Sequence, residues 1–126
     1  MKIAVLKERR ADERRVAATP ETVKKFVGLG VNVVVEAGAG TGAFIANSDF
    51  QDAGATIAAN ADAALIDADM VLKVRRPIMA DEEAEDGAQF DGGNELAQMR
   101  KGQTLIAMLN PLIRRADCDA YAAAGV

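Results

Sequence analysis

Short runs of β-branched apolar residues, each followed within a few positions by a helix-starting or helix-stopping signal, restrict this chain's fold more than any other feature. Ile3 to Leu6, Val31 to Val35, Ala55 to Ala58, Met70 to Val74 and Thr104 to Leu109 are such runs, the third weaker than the rest. The stronger ones are close to continuously apolar instead of alternating with polar residues, as expected of strands buried on both faces. Between them lie helix signals. Thr19 precedes Pro20 and Glu21, so a hydroxyl can cap free N–H groups where proline loses nothing, and Val23, Phe26 and Val27 then form an apolar stripe. Gly28 and Gly30 are expected to end that helix through positive φ. Ser48 reads as the cap of a short helix around Phe50 that Gly54 stops, and Asn60 as the cap of the helix carrying Ala64 and Leu65. Leu96 and Met99 suggest a brief helix before Gly102, and a last helix ends at Gly125.

Strand and helix alternate throughout, which predicts a doubly wound α/β fold with a mostly parallel sheet and helices on both faces, flavodoxin- or Rossmann-like. Val126 reads as the first residue of a further strand. The fold is therefore expected to be truncated before its last strand, in a chain that belongs to a longer polypeptide.

Composition removes several function classes. The chain has 126 residues, 50% of them hydrophobic, enough for one domain with a buried core. Fifteen Lys and Arg against nineteen Asp and Glu give a net charge of -4, which repels nucleic acid and anionic membrane. There is no histidine, and the single cysteine, Cys118, cannot close an internal disulfide or build a zinc cluster, so no metal site is expected. A Ser/His/Asp or Cys/His relay is likewise excluded. The apolar run near the N-terminus is too short for a signal peptide, and no run could cross a bilayer. A reducing cytosol suits this composition.

Ligands of open parallel sheets collect outside the carboxyl ends of the strands, so polar residues at those ends are the candidates. Lys7 follows the first strand, Glu36 the second, Lys73 lies near the end of the Met70 run and Asn110 follows the Thr104 run. Arg15 lies on the first loop at the same edge. Together Arg15, Lys73 and Asn110 would suit a small carboxylate: a bidentate guanidinium, a point charge and an amide donor. Read from spacing alone, the same residues better suit ordinary charges at the ends of buried strands. Lys73 departs furthest from that alternative, because it interrupts an apolar strand and buried lysines are paired or functional. Gly38, Gly40 and Gly42 form GxGxG after the second strand, but Ala43 stands where the dinucleotide fingerprint has its third glycine, and although a variant ending in alanine exists, no acidic residue ends a well-formed next strand and the following helix is short. The segment is expected to be a flexible turn and not a nucleotide site. Asp81, Glu82, Glu83, Glu85 and Asp86 read as a solvated loop.

The segments KERRADERRVAATPETV, VVVEAGAGTGAFIANSDFQDAGATI and DADMVLKVRRP, in that order, resemble the N-terminal domain of alanine dehydrogenases and of the alpha subunit of proton-translocating NAD(P) transhydrogenases. The resemblance covers nearly the whole chain. It implies that residues 1–126 are the N-terminal lobe, with the NAD-binding Rossmann lobe outside this chain. In the dehydrogenases an arginine of the RVA segment and a lysine of the LKV segment hold the substrate, which map onto Arg15 and Lys73, and a histidine after the next strand completes the site. Here that strand is followed by Asn110 and Pro111. Transhydrogenase alpha subunits commonly lack the histidine, so the resemblance favours them. It implies an oxidoreductase that binds NAD(H) when complete and exchanges hydride with NADP(H) on a partner, this lobe alone being inactive and binding no cofactor tightly. It further implies NADP(H)-binding and membrane-embedded partner subunits, a homodimer of alpha subunits, and a cytoplasmic position at the inner membrane. The alternatives are an alanine dehydrogenase-like enzyme, or a non-catalytic module for subunit contact or carboxylate sensing.

Overall fold

The computed structural model describes residues 1–126. Its strands are β1 (Lys2–Val5), β2 (Asn32–Glu36), β3 (Thr56–Ala58), β4 (Met70–Arg75) and β5 (Thr104–Met108). The helices are α1 (Pro20–Gly28), α2 (Asn47–Asp52), α3 (Ala61–Leu65), α4 (Glu95–Gln98) and α5 (Arg115–Ala124), with a 3₁₀ turn at Thr41–Ala43. All strands are parallel and run in the order β3-β2-β1-β4-β5. The chain thus starts in the centre, winds outward to β3, then returns to the other side of β1 and winds outward again. The sheet is the expected doubly wound one.

Alternate residues of each central strand enter two separate cores. Ile3 and Val5, Val33 and Val35, and Leu72 face Val23 of α1 and Phe50 of α2. Ala4 and Leu6, Val34, and Val71 face Ala61, Ala64 and Leu65 of α3, Leu96 of α4 and Tyr121 of α5. This explains why the strands read as unbroken apolar runs: every position is an inside position. The outer strand β5 has helices on one face only. Leu105 packs inward, while Ile106 and Met108 are about half exposed on the face that α1 and α2 do not reach.

The caps follow from side-chain chemistry. Thr19 accepts from Thr22 N–H at 3.3 Å, Asn60 from Ala63 N–H at 2.9 Å and Asn94 from Ala97 N–H at 3.2 Å. Two signals act differently from expectation. Gly30 has φ of +80°, but Gly28 is still helical. Ser48 lies inside α2, whose entry is held instead by the Asp49 carboxylate accepting from Ala46 N–H at 2.8 Å.

The glycine segment is not a flexible turn. Gly40 is buried where a Cβ would lie 2.6 Å from the Ile45 carbonyl and 2.8 Å from the Phe50 ring, and a Cβ on Gly42 would lie 2.9 Å from the Arg14 carbonyl. These glycines permit backbone and ring to approach closely. Gly40→Ala is expected to lower stability by about 2 kcal/mol or more through overpacking. Gly28→Ala, with open space around its Cβ, should instead gain roughly 0.5–1 kcal/mol. Urea unfolding of the two variants would display the opposite signs.

Candidate functional site

Because winding reverses between β1 and β4, the carboxyl ends of these two strands flank the place where an open α/β sheet would receive a ligand. Here that crevice is filled by the chain's own charges. Glu8, just past β1, accepts from Val74 N–H at 2.7 Å and lies 3.7 Å from the Lys73 ammonium. Lys73 donates to Glu95 Oε1 at 3.1 Å and to the Lys7 carbonyl at 3.3 Å. Arg9 donates to the same Glu95 oxygen at 3.0 Å and forms a two-armed pair with Glu36 at 2.5 and 3.2 Å. Glu36 also accepts from Lys7 N–H at 2.9 Å, and Glu95 from Ile78 N–H at 2.7 Å. All five side chains are at most 5% exposed.

Local sequence explains how they converge. One extra residue of β4 lies between Leu72, paired with Ile106, and Arg75, paired with Met108, and this irregularity falls at Lys73 and Val74. Lys73 continues the face of Val71, toward α4, where Glu95 occupies the first helical turn. Three carboxylates meet two cations, so the cluster carries one negative charge more than it neutralises. The strain of that excess falls on Glu8, whose Oε2 is buried without a hydrogen-bond partner. Burial pushes its carboxyl above the ordinary 4.5, although the Lys73 ammonium and the Val74 N–H pull it down.

A second network adjoins the first. Glu82 bridges Arg10 at 2.8 Å and Arg76 at 2.5 and 2.8 Å, and Arg76 reaches Asp117 of α5 at 3.2 Å. Burial opposes ionisation of Glu82, but the Arg76 and Arg10 guanidinium groups outweigh it and hold the carboxyl at about 2. Glu82 is therefore not one of a solvated acidic run. It is the anchor that ties the segment after β4 to the first loop. No local periodicity marks it, because its partners are more than seventy residues away or across a turn.

The sequence candidates are only partly brought together. Arg15 and Lys73 both border a shallow groove of about 530 Å³ beside Val16, Val74, Ile106 and Met108. The ammonium of Lys73 points away into the buried cluster, with its side chain fully covered. Arg15 is exposed, and its guanidinium is engaged by Glu13 through two bonds of 2.8 Å, which hold the Glu13 carboxyl at about 2. Asn110 is exposed in a left-handed conformation, φ +50°, and its carbonyl accepts from Ile113 and Arg114 N–H in the turn before α5. It is not among the residues lining the groove. Sequence reasoning placed Glu36 at this edge but missed Glu8, Arg9 and Glu95. The signal available for them was a charged tripeptide directly after a buried strand, and an acid in the first turn of a short helix.

Residues 4–126 match the model of the family described as alanine dehydrogenase/PNT, N-terminal domain. The chain belongs to this family. It is 49% identical over 91% of its length to an NAD(P) transhydrogenase subunit alpha polypeptide of Rhodospirillum rubrum, of which that match covers 28%. It is 35% identical over 99% of its length to the alanine dehydrogenase of Mycobacterium tuberculosis, covering 30% of that protein. The crystal structure of a transhydrogenase from Sinorhizobium meliloti superposes with a TM-score of 0.82 at 37% identity, over 99% of this chain and 32% of the other. An L-alanine dehydrogenase structure gives 0.83 at 31% identity, over 98% and 30%. The chain thus spans about three-tenths of the length of these relatives. Relatives of this lobe are oxidoreductases, and one is a named subunit of a larger assembly. No helix is long and apolar enough to cross a membrane.

Two substitutions test the cluster. Glu8 has a raised folded-state value, so its contribution to stability is full below the ordinary 4.5 and is lost as pH rises through the raised value. Glu8→Gln keeps the shape and cannot ionise; it should match the parent near pH ~4 and exceed it in urea midpoint at pH ~8. Glu95→Ala removes the acceptor shared by Arg9 and Lys73 and leaves Ile78 N–H unpaired, at an expected cost of about 3–5 kcal/mol by urea unfolding at pH ~7.

Proposed function

We propose that this chain is the N-terminal lobe of the NAD(H)-binding alpha subunit of a proton-translocating transhydrogenase, in which hydride passes between NAD(H) and NADP(H). The observation that carries the reading lies two residues past β5: Asn110 stands where the dehydrogenase resemblance calls for a histidine, and the chain contains no histidine at all. Without an imidazole beside Arg15 and Lys73, the groove lacks the proton relay that amino-acid oxidation requires. Hydride exchange between two nicotinamides needs none.

This lobe is not itself suited to a dinucleotide. The crevice at the winding reversal is filled by Glu8, Arg9, Lys73 and Glu95, and the glycine turn after β2 is packed against Phe50 and the Arg14 backbone. NAD(H) is accordingly assigned to the remaining length of the relatives, a separate Rossmann lobe. Arg15 and Asn110, both exposed, are assigned to the wall facing it, with the Lys73 side chain buried behind them. The match to a protein named as a transhydrogenase subunit alpha supports further subunits, for which we assign an NADP(H)-binding and a membrane-embedded partner, a dimer of alpha subunits, and a cytoplasmic position against the inner membrane.

A second reading, an alanine dehydrogenase, has the 35% identity to the mycobacterial enzyme and the groove shared by Arg15 and Lys73 in its favour. Two assays on the full-length protein with its partner subunits separate them. NADPH should reduce an NAD analogue, and NADH should not be oxidised by pyruvate and ammonia. Pyruvate-dependent oxidation without transhydrogenation would overturn the first reading.

A further inference from the structure

The glycine turn after β2 and the loop after β1 enclose a cavity of about 250 Å³ that neither charge network fills. Lys7, Arg14, Thr41 and Gly42 line it together with Glu8, Glu13 and Arg15. Four donors of these lining residues have no hydrogen-bond or ion-pair partner in the chain: the Lys7 ammonium, the Arg14 guanidinium, the Thr41 hydroxyl and the Gly42 N–H. Their freedom is unusual on this edge, because Arg9, Arg10, Arg15, Arg75 and Arg76 are all in ion pairs. Of the acids in the lining, Glu13 is paired with Arg15 at 2.8 Å, and Glu8 lies 3.7 Å from the Lys73 ammonium with its carboxyl pushed by burial toward the neutral form. Lys7 and Arg14 are the cations of this lining that stand in no ion pair.

We propose that this cavity binds a small oxyanion, either phosphate or the carboxylate end of a metabolite. Guanidinium and ammonium supply the charge, while the hydroxyl and the turn amide supply directed donors, a combination that suits tetrahedral or planar anionic oxygens. Gly42 matters because its missing Cβ lets the turn rest directly on the Arg14 backbone, keeping the two loops close enough to share one ligand. The site lies between β1 and β2, on the other side of β1 from the winding reversal and from the Arg15–Lys73 groove. It stands or falls independently of the transhydrogenase reading.

The test is an amide ¹⁵N NMR titration of this chain with sodium phosphate and, separately, sodium malonate, each against sodium chloride of equal ionic strength. Saturable shifts centred on Gly40, Thr41 and Gly42 are expected with one or both anions, and the tighter of the two identifies the chemistry. Lys7→Ala and Arg14→Gln should each weaken binding roughly tenfold, the size of one lost charge-assisted bond. Neither side chain makes an internal bond, so spectra away from the cavity should stay unchanged and report an intact fold. Shifts that do not saturate, that persist in both variants, or that appear equally around Lys24, Lys101 and Arg115 would show generic ion binding and overturn the site.

Discussion

Three consecutive charged residues after the first strand hold the carboxyl edge of this lobe together. Glu8 takes the backbone of β4 at Val74, Arg9 takes Glu36 at the end of β2 and Glu95 on α4, and Arg10 takes the Arg76 carbonyl at 2.7 Å and Glu82 beyond it. A parallel sheet leaves the loops at its carboxyl edge without ladder partners, so some other interaction must set their positions. Here ion pairs and charge-assisted hydrogen bonds do it, in surroundings dry enough that each is costly to break and none is freely exchanged with water.

That choice shapes where chemistry can occur. The crevice usually left open at a winding reversal is closed by the cluster, and Lys73 is turned into it. What stays accessible is displaced to either side: a groove toward β5 bordered by Arg15, and a cavity toward β2 bordered by Lys7 and Arg14. Glu8, the acid that the cluster leaves short of a partner, lines the second of these.

Much of the fold was legible in the sequence. The five strands, the caps at Thr19, Asn60 and the stop at Gly125, and the doubly wound topology follow from apolar runs and from side chains that act on their immediate neighbours. The errors have a common cause. Ser48 lost the start of α2 to Asp49, Gly40 is packed instead of flexible, and Glu82 is anchored instead of solvated, each because of a partner that spacing does not reveal. Lys73 was singled out correctly as a lysine in a buried run, yet the identity of its partners, Glu95 and Glu8, required the sheet.

By itself the sequence determined the layer architecture, the family, and the absence of any imidazole chemistry, since these depend on residue type and short-range order. The tertiary structure alone decided which charges are spent and which are free. Glu8, Arg9, Lys73, Glu36 and Glu95 are separated by up to 87 residues, and only the parallel pairing of β1 with β2 and β4 brings them within hydrogen-bonding or ion-pair distance. Arg14 and Arg15 are chemically alike and adjacent, but Glu13 engages one and leaves the other facing a cavity. That distinction is a matter of direction and distance, which a linear order of residues does not contain.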